Sequence, residues 1–270
     1  MEKDFRELAS VLEGRWDNER HGFFASDAGL DPQILAPRKH TIIRRLNDDT
    51  ADLASFEIMT DDDAPVTGFQ LSIDAPRDVI VQTHADEACE ILWQREAGQF
   101  RGQGEGDCGA LYGGVSGDGA AKVQKAVSPT EFWITVEQDG ISQETRYRRA
   151  RMFSCWISVL RGASHGNSGE GLDDWQFWSG VTLHDQGGEA VVTTDEETAR
   201  NIGIKLRDVE WTYGTNRPSL VLYIHEDDRE RATSYAWTSA GADRIGINLR
   251  WIQASCTRDA DLDLVSAEVD

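Results

Sequence analysis

Lysine is scarce in this chain, and basic residues as a whole are outnumbered. There are 27 basic against 48 acidic residues, which gives a formal net charge of −21. A surface of this sign repels phosphates, so neither a nucleic acid nor an anionic membrane is expected as a partner. Only five of the basic residues are lysines: Lys3, Lys39, Lys122, Lys125 and Lys205.

The cysteines and histidines form none of the close groupings that bind a metal. The sequence has no CxxC, HExxH or HxH, and it lacks a GxxxxGK[ST] phosphate loop and a GxSxG nucleophile elbow. We therefore expect no metal centre. Dispersed cysteines in a cytosolic protein are expected to be reduced, mostly buried thiols. The four are Cys89, Cys108, Cys155 and Cys256.

Long hydrophobic runs are also missing. No window of 18 apolar residues occurs, so no transmembrane helix is expected. The first residues, MEKDFREL, are charged and lack the apolar core of a secretion signal. These two observations predict a cytoplasmic protein.

What the chain does contain is one amphipathic helix followed by many short strands. A helix is predicted over residues 4–13 because apolar residues recur at helical spacing, with Gly14 as its C-cap. From His40 onward the period changes to two, and runs such as GFQLSI and RDVIVQTH alternate with turn signals. This pattern predicts an all-β fold, an antiparallel barrel or sandwich. The helix positions facing the core are Phe5, Leu8, Ala9 and Leu12.

The predicted domain organisation has three parts. Residues 1–160 form the barrel, 161–174 are a Gly/Ser-rich linker or long loop, and 175–270 are a β-rich extension. The sequence leaves open whether this extension is a second domain or enlarges the first sheet. Its aromatic residues form either a core or a docking surface: Trp175, Phe177, Trp178, Trp211, Tyr213, Tyr223, Tyr235, Trp237 and Trp251.

Three motifs in the first half resemble the CpcT/CpeT family, the T-type phycobiliprotein lyases. The segment LASVLEGRWDNERHGF has a Gly, an aromatic and an Asn at matching positions, Gly14, Trp16 and Asn18. The segment EFWITVEQDGISQET resembles the family's acidic strand end followed by Glu-Thr. The resemblance covers roughly residues 5–158. The segment CEILWQREAGQFRGQGEGDC supplies the remaining matches, Cys89, Trp93, Phe100, Gly102 and Cys108.

The resemblance implies a calycin-like, lipocalin-like barrel and a bilin lyase activity. Such a protein binds an open-chain tetrapyrrole, a phycocyanobilin-like bilin, and attaches it to a cysteine of a phycobiliprotein client. A homodimer is also implied. Trp16 is interpreted as the plug at one end of the barrel. A lining of aromatic side chains is expected from Phe56, Phe69, Trp93, Phe100, Phe132, Trp133 and Tyr147.

The resemblance also points to site residues. The family's carboxylate, which meets the pyrrole nitrogens, aligns with Glu137 or lies beside it at Asp139, depending on whether the strand or the following Gly is matched. Arginines for the propionates are Arg44, Arg146 and Arg148, of which the last two share a strand face. Cys89 and Cys108 would contribute thiols to the bilin site, and Trp93 an apolar wall.

Departures from the family leave alternatives open. Phe56 stands where the family commonly has Tyr, and RYRRARMFSCWISV replaces the family's closing pattern. Whether lyase activity survives is therefore open. The first alternative is a non-catalytic carrier of a small apolar ligand, such as a tetrapyrrole, haem or a lipid. The second is a β-rich interaction protein that binds through its C-terminal half.

Overall fold

A computed structural model of the chain describes residues 1–27, 29, 37–46, 50–59, 65–84, 89–106, 108, 121–210, 217–227 and 231–263. These residues form two compact units, which meet in sequence between Arg149 and Ala150. Within the described residues no helix is long and apolar enough to cross a membrane.

The first unit is a closed antiparallel barrel of ten strands with a helix before it. The barrel closes because β1 pairs with β2 on one side and with β10 on the other. The predicted all-β, calycin-like barrel with an N-terminal helix is therefore confirmed. Its elements are α1 (Glu2–Leu12), β1 (Gly14–Asp17), α2 (Glu19–Asp27), β2 (His40–Arg45), β3 (Leu53–Met59), β4 (Pro65–Asp74), β5 (Val79–His84), β6 (Cys89–Glu96), β7 (Gln99–Gly106), β8 (Lys122–Val127), β9 (Glu131–Gln138) and β10 (Ile141–Arg149).

Helix α1 packs on the barrel core through the face that the sequence predicted. All four apolar residues of that face are buried and join the core cluster of the barrel. On its exposed side the Arg95 guanidinium from β6 lies 3.0 Å from Asp4 Oδ1 and 2.7 Å from Glu7 Oε1. Apolar burial supplies most of the attachment, since exposed ion pairs contribute little.

Gly14 does not serve as the predicted C-cap; it is the first residue of β1. The C-cap is Glu13, which is extended, and Gly14 follows with φ +139°. A Cβ on Gly14 would overlap the Nη1 atom of Arg149. That guanidinium is held firmly: it donates to the carbonyls of Glu13 (2.7 Å) and Pro129 (2.8 Å) and lies 4.4 Å from the centre of the Trp16 ring. The glycine therefore makes room for an arginine that caps α1.

Gly14→Ala is expected to destabilise the barrel by about 2 to 4 kcal/mol, since the new methyl group displaces Arg149 and the backbone conformation strains any L side chain. Chemical unfolding measures the loss. Gly140→Ala is the control: Gly140 also has positive φ, but no atom lies within 4 Å of its added Cβ. Equal losses in the two variants would mean that backbone strain alone is responsible.

The second unit consists of two four-stranded antiparallel sheets around a shared core. Their strand orders are β12-β11-β18-β17 and β13-β14-β15-β16. Residues 161–174 connect β11 to β12 within one sheet rather than linking two domains. The elements are β11 (Met152–Leu160), β12 (Trp175–His184), β13 (Gln186–Thr193), β14 (Asn201–Val209), β15 (Ser219–Glu226), β16 (Ser234–Ser239), β17 (Arg244–Asn248), β18 (Ile252–Arg258) and α3 (Ala260–Asp263).

The strand β11 lies on the other side of the predicted boundary. The sequence interpretation assigned residues up to 160 to the barrel, whereas β11 pairs with β12 and β18 of the second unit. Its apolar residues, including Phe153 and Ile157, belong to the core of that unit. Period-two patterning marks a strand but does not identify its neighbours, so the strand's membership could not be deduced from it.

All four cysteines are paired in disulfide bonds, which corrects the prediction of reduced thiols. Cys89 bonds to Cys108 within the barrel unit, and Cys155 to Cys256 within the second unit. Sequence spacing of 19 and 101 residues gave no sign of either pairing. Disulfides persist mainly in oxidising compartments, and the cytoplasmic location stays a prediction.

The aromatic residues of the second unit divide between core and surface. Trp251 belongs to the core, and Trp175 and Trp178 pack against it. Three others are exposed: Phe177, Tyr235 and Trp237. Tyr223 lies on β15 opposite Tyr235, with 6.3 Å between the ring centres. Trp211 and Tyr213 lie outside the described residues.

Candidate functional site

A cavity of about 500 Å³ lies inside the barrel. This volume falls within the usual range of small-molecule sites. Arg38 and Lys39 line the cavity and are also exposed, which places them at its opening. Among the described lining residues there is no Asp or Glu. Apolar and aromatic side chains make up much of the wall, including Leu12, Trp16, Ile43, Phe69, Phe132 and Tyr147.

Lys125 brings a basic group into the interior of this barrel. Strand β8 alternates, so Lys125 shares the inward face with Val123 and Val127, both of them core residues. The Nζ atom lies 5.9 Å from the ring centre of Trp93 and 5.8 Å from that of Phe132. Burial lowers the pKa of the Lys125 amine to about 7, because the charged form loses its hydration there.

A chain of hydrogen bonds holds the Lys125 amine in place. Gln82 Oε1 accepts a hydrogen bond from Trp93 Nε1 at 3.1 Å, and Lys125 Nζ donates to the same oxygen at 3.4 Å. Gln82 Nε2 then lies 2.9 Å from His84 Nε2, and His84 Nδ1 lies 3.1 Å from the carbonyl of Gly68. The amide must donate to His84 Nε2, so the histidine carries its proton on Nδ1 and donates it to Gly68.

His84 is neutral under ordinary conditions. Burial is the main cause that lowers its pKa to about 4, and the nearby charge of Lys125 lowers it further. The neutral ring is what the hydrogen-bond chain requires, because a charged imidazole has no acceptor nitrogen for Gln82. The network therefore presents the amine of Lys125 as the titrating group of the cavity interior.

A buried carboxylate organises the opening of the cavity. The side chain of Asp17 accepts from the backbone N–H of Glu19 at 2.6 Å and lies 3.2 Å from both Arg38 and His40. Burial raises the pKa of Asp17, but the hydrogen bond with His40 and the charge of Arg38 outweigh it, so the pKa is below its usual range. Burial, followed by the charge of Asp17, raises the pKa of Tyr147 to about 12.

Asn18 of the Gly-x-Trp-x-Asn motif holds the strand entry at this opening. Its amide donates to the carbonyl of Pro37 at 2.9 Å and accepts from the N–H of Lys39 at 2.6 Å. Trp16 of the same motif is fully buried and donates to the carbonyl of Leu12 at 3.0 Å. Asn18 and Trp16 therefore each have a structural partner, and Trp16 additionally lines the cavity.

The two predicted carboxylates do not line the cavity. Glu137 is exposed on the outer face of β9, whereas Phe132, Ile134 and Val136 occupy the inner face. Asp139 lies in the tight turn between β9 and β10 and is also exposed. Because alternation along β9 is regular, the inward direction of Val136 turns Glu137 outward. A role for either residue in bilin chemistry stays a prediction.

The three predicted arginines also lie outside the cavity. Arg44 pairs with Glu57 on the neighbouring strand. Arg146 pairs with Glu144 at 2.6 Å and stacks on Trp133. Arg148 likewise pairs with Glu131 at 2.9 Å. Each of the three arginines therefore has a surface partner that competes with a propionate.

The remaining predicted site residues are Trp93 and the two cysteines. Trp93 contacts Lys125 and Gln82, whereas the cysteines do not offer thiols. Trp93 is buried beside Lys125 and donates to Gln82. Cys89 and Cys108 are joined, which removes the predicted thiols from the site. Phe69, Phe132 and Tyr147 of the expected aromatic lining do border the cavity. Trp133 instead faces outward on β9 and stacks with Arg146.

The sequence interpretation missed Lys125, although a signal was available. In the run KVQKAV the alternation places Val123 and Val127 on one face, and Lys125 shares that face. A lysine at an inward position of a strand is unusual enough to mark a site. Gln82 could be found in the same way within VIVQTH, whereas Arg38 and Lys39 carry no pattern that links them to the barrel interior.

Comparisons with known proteins return no match at the level of sequence. No family model matches the sequence, and no curated protein matches it. A solved structure, that of the T-type phycobiliprotein lyase CpeT from Prochlorococcus phage P-HM1, is similar over 54% of this chain and 96% of its own. The sequence identity is 15% and the TM-score 0.36. At this identity and score the similarity says nothing about the ligand of this chain.

Proposed function

We propose that the barrel binds an elongated, largely apolar ligand with an acidic group, and that this ligand is an open-chain tetrapyrrole. The observation that carries the proposal is Lys125, an amine placed in a cavity whose described lining includes no carboxylate. Burying an ammonium group costs stability, and a bound carboxylate offsets that cost by forming a charge-assisted hydrogen bond. The cavity is thus suited to an acid that brings its own counter-charge.

The other features of the cavity suit a bilin. Its conjugated rings pack against the aromatic walls formed by Phe69 and Phe132. One propionate meets Lys125, and a second meets Arg38 and Lys39 at the opening. The Tyr147 hydroxyl keeps its proton at neutral pH because the pKa is raised to about 12, and it offers a hydrogen bond to a polar group of the ligand.

The ligand is held without a covalent bond to a cysteine of this chain. Cys89 and Cys108 are joined to each other, so neither adds to a bilin as a thiol. A lyase built on this barrel therefore orients the bilin for the cysteine of a client, a phycobiliprotein-like chain. The three sequence motifs support this delivery function. The second candidate is a carrier that binds without transfer, and the absence of a free thiol among the four cysteines favours it equally.

Titration with phycocyanobilin and biliverdin tests the proposal. Wild type is expected to give a red-shifted, sharpened visible band, and Lys125→Met to weaken binding roughly 10- to 100-fold, because a hydrogen bond to a charged group contributes about 1.5 to 3 kcal/mol. Lys122→Met is the matched control, since Lys122 lies on the same strand, is exposed, and faces outward.

Two results would contradict the proposal. One is a free-bilin spectrum with wild-type protein; the other is equal affinity of wild type and Lys125→Met. Adding a phycobiliprotein apo-subunit to the bilin complex separates the lyase from the carrier. Covalent transfer to the subunit, seen as a mass increase after denaturation, supports a lyase, and its absence supports a carrier.

A further inference from the structure

Lys125 differs in its surroundings from the other lysines of the chain. Lys3, Lys39 and Lys122 are exposed, and Lys205 is partly exposed and pairs with Glu189. Lys125 is 6% exposed and lines the cavity. An amine in such a place has access to apolar molecules that enter the barrel but little access to bulk water.

The amine is also held where a ligand would meet it. Gln82 Oε1 accepts one of its hydrogens, and the rings of Trp93 and Phe132 flank it at 5.9 Å and 5.8 Å. Flanking aromatic rings limit the rotamers of the lysine chain, so the nitrogen lone pair, when the amine is neutral, is presented to a restricted volume. Restricting a nucleophile in this way favours addition to a carbonyl bound beside it.

A substantial fraction of this amine is neutral at neutral pH. With a pKa of about 7, half of the Lys125 amines are unprotonated at pH 7. An ordinary lysine with a pKa of about 10.4 is neutral in roughly one molecule in 2,500 at that pH. Desolvation of a lysine in an apolar pocket is a recognised way to activate it for Schiff-base chemistry.

We propose that Lys125 captures apolar aldehydes that enter the barrel cavity as Schiff bases. The neutral amine adds through its lone pair to the carbonyl carbon and gives a carbinolamine. The carbinolamine then loses its hydroxyl group together with a nitrogen proton as one water molecule, leaving the C=N bond. No oxidant or reductant is needed. This inference rests on the cavity of the proposed function but not on a bilin being its ligand.

Among the charged and titratable groups around the cavity, the Lys125 amine is the group that reacts with an aldehyde. His84 faces Lys125 from β5, and its pKa of about 4 keeps it neutral. Tyr147 lines the cavity from β10, and its pKa of about 12 keeps its hydroxyl protonated. The groups at the opening are Arg38, Lys39 and His40, together with Asp17, whose carboxylate lies 3.2 Å from both Arg38 and His40.

Reductive trapping with 2-naphthaldehyde and cyanoborohydride tests the inference. Full-length wild type at pH 7 is expected to gain one naphthylmethyl group, located on Lys125 by peptide mapping, at a rate at least about 100-fold above that of any other lysine. Raising the pH from 7 to 9 is expected to raise the Lys125 rate about twofold and the exposed-lysine rates about 100-fold.

Matched variants complete the test. Lys122→Met is expected to react as wild type does, and Lys125→Met and Lys125→Arg to lose the fast adduct. Lys125→Arg keeps the positive charge, so it separates this inference from bilin binding: a variant that binds bilin but is not trapped retains the proposed function and supports the imine. Circular dichroism confirms that each variant is folded.

Other outcomes overturn the inference. Adducts spread over Lys3, Lys39, Lys122 and Lys205 without preference for Lys125 would do so, as would equal trapping in wild type and Lys125→Met. If wild type is trapped at Lys125 while the protein leaves the visible spectra of phycocyanobilin and biliverdin unchanged, the proposed function fails and the imine inference stands. If bilin binds and Lys125 is not trapped, the imine inference alone fails.

Discussion

Between pH 7 and pH 10 the free energy of unfolding of the wild-type barrel is expected to rise by roughly 3 to 4 kcal/mol relative to that of Lys125→Met. The cause is the lowered pKa of Lys125, about 7 in the folded barrel against 10.5 for an ordinary lysine. In this interval the unfolded chain binds a proton on Lys125 that the folded chain has released, so unfolding takes up a proton and becomes less favourable as the pH rises.

The limits of this interval follow from the same two values. Below pH 7 the amine is charged in both states, and the folded barrel carries the whole cost of burying the charge. Above about pH 10.5 the amine is neutral in both states and the cost disappears. At neutral pH the Lys125→Met barrel is therefore expected to be the more stable one, because the methionine replaces a buried charge by an apolar chain of similar length.

Amide hydrogen exchange of β8 and β9, measured at several pH values, reports the stability of the barrel separately from that of the second unit. The rise with pH is expected in wild type and in the control Lys122→Met, and is expected to vanish in Lys125→Met. Parallel pH curves for wild type and Lys125→Met would show that Lys125 titrates as an ordinary lysine. Its burial would then have no energetic consequence.

Loss of the Cys155–Cys256 bond is expected to destabilise the second unit by about 4 to 5 kcal/mol. The bond joins β11 to β18 at directly paired positions and connects residues 101 apart in sequence. In the chain-entropy account, cross-linking so long a segment strongly restricts the unfolded state, whereas the Cys89–Cys108 bond, with a separation of 19, contributes about 3 kcal/mol to the barrel.

Urea unfolding of wild type and of the double variant Cys155→Ala, Cys256→Ala, both without reductant, measures the loss, because this variant lacks only the bond of the second unit. The variant Cys89→Ala, Cys108→Ala is the control, because it removes the barrel bond and leaves the second unit cross-linked. Hydrogen exchange of β14 and β15, which lie in the core of the second unit, assigns the effect. Unchanged exchange there in the variant Cys155→Ala, Cys256→Ala would mean that the bond contributes no stability.

The barrel itself was predictable because its information is local. Apolar residues at helical spacing identified α1, and period-two alternation identified the strands, since each pattern follows from the geometry of one element and from burial on one side of it. The same alternation, applied to β9, correctly grouped Ile134 and Val136 on one face and Glu137 on the other. It left the direction of Glu137 open, and the structure places it in solvent.

The candidate site was predicted less well, because its residues come from distant parts of the sequence. Lys125 and Gln82 are 43 residues apart and meet across the barrel interior. The arginines chosen for their positive charge, Arg146 and Arg148, pair with carboxylates on neighbouring strand positions. Charge alone therefore did not identify the cations that line the cavity, since an outward strand position in an acidic protein readily finds a surface partner.

By itself the sequence determined the class of the fold, the amphipathic helix, and the strongly acidic surface, because these depend on composition and on periodicity along the chain. The tertiary structure decided three other features: the joining of Cys89 to Cys108 and of Cys155 to Cys256, the membership of β11 in the second unit, and the placement of Lys125 in a cavity. Each depends on which strands become neighbours, and neighbours are chosen by the closure and packing of whole sheets rather than by any local pattern.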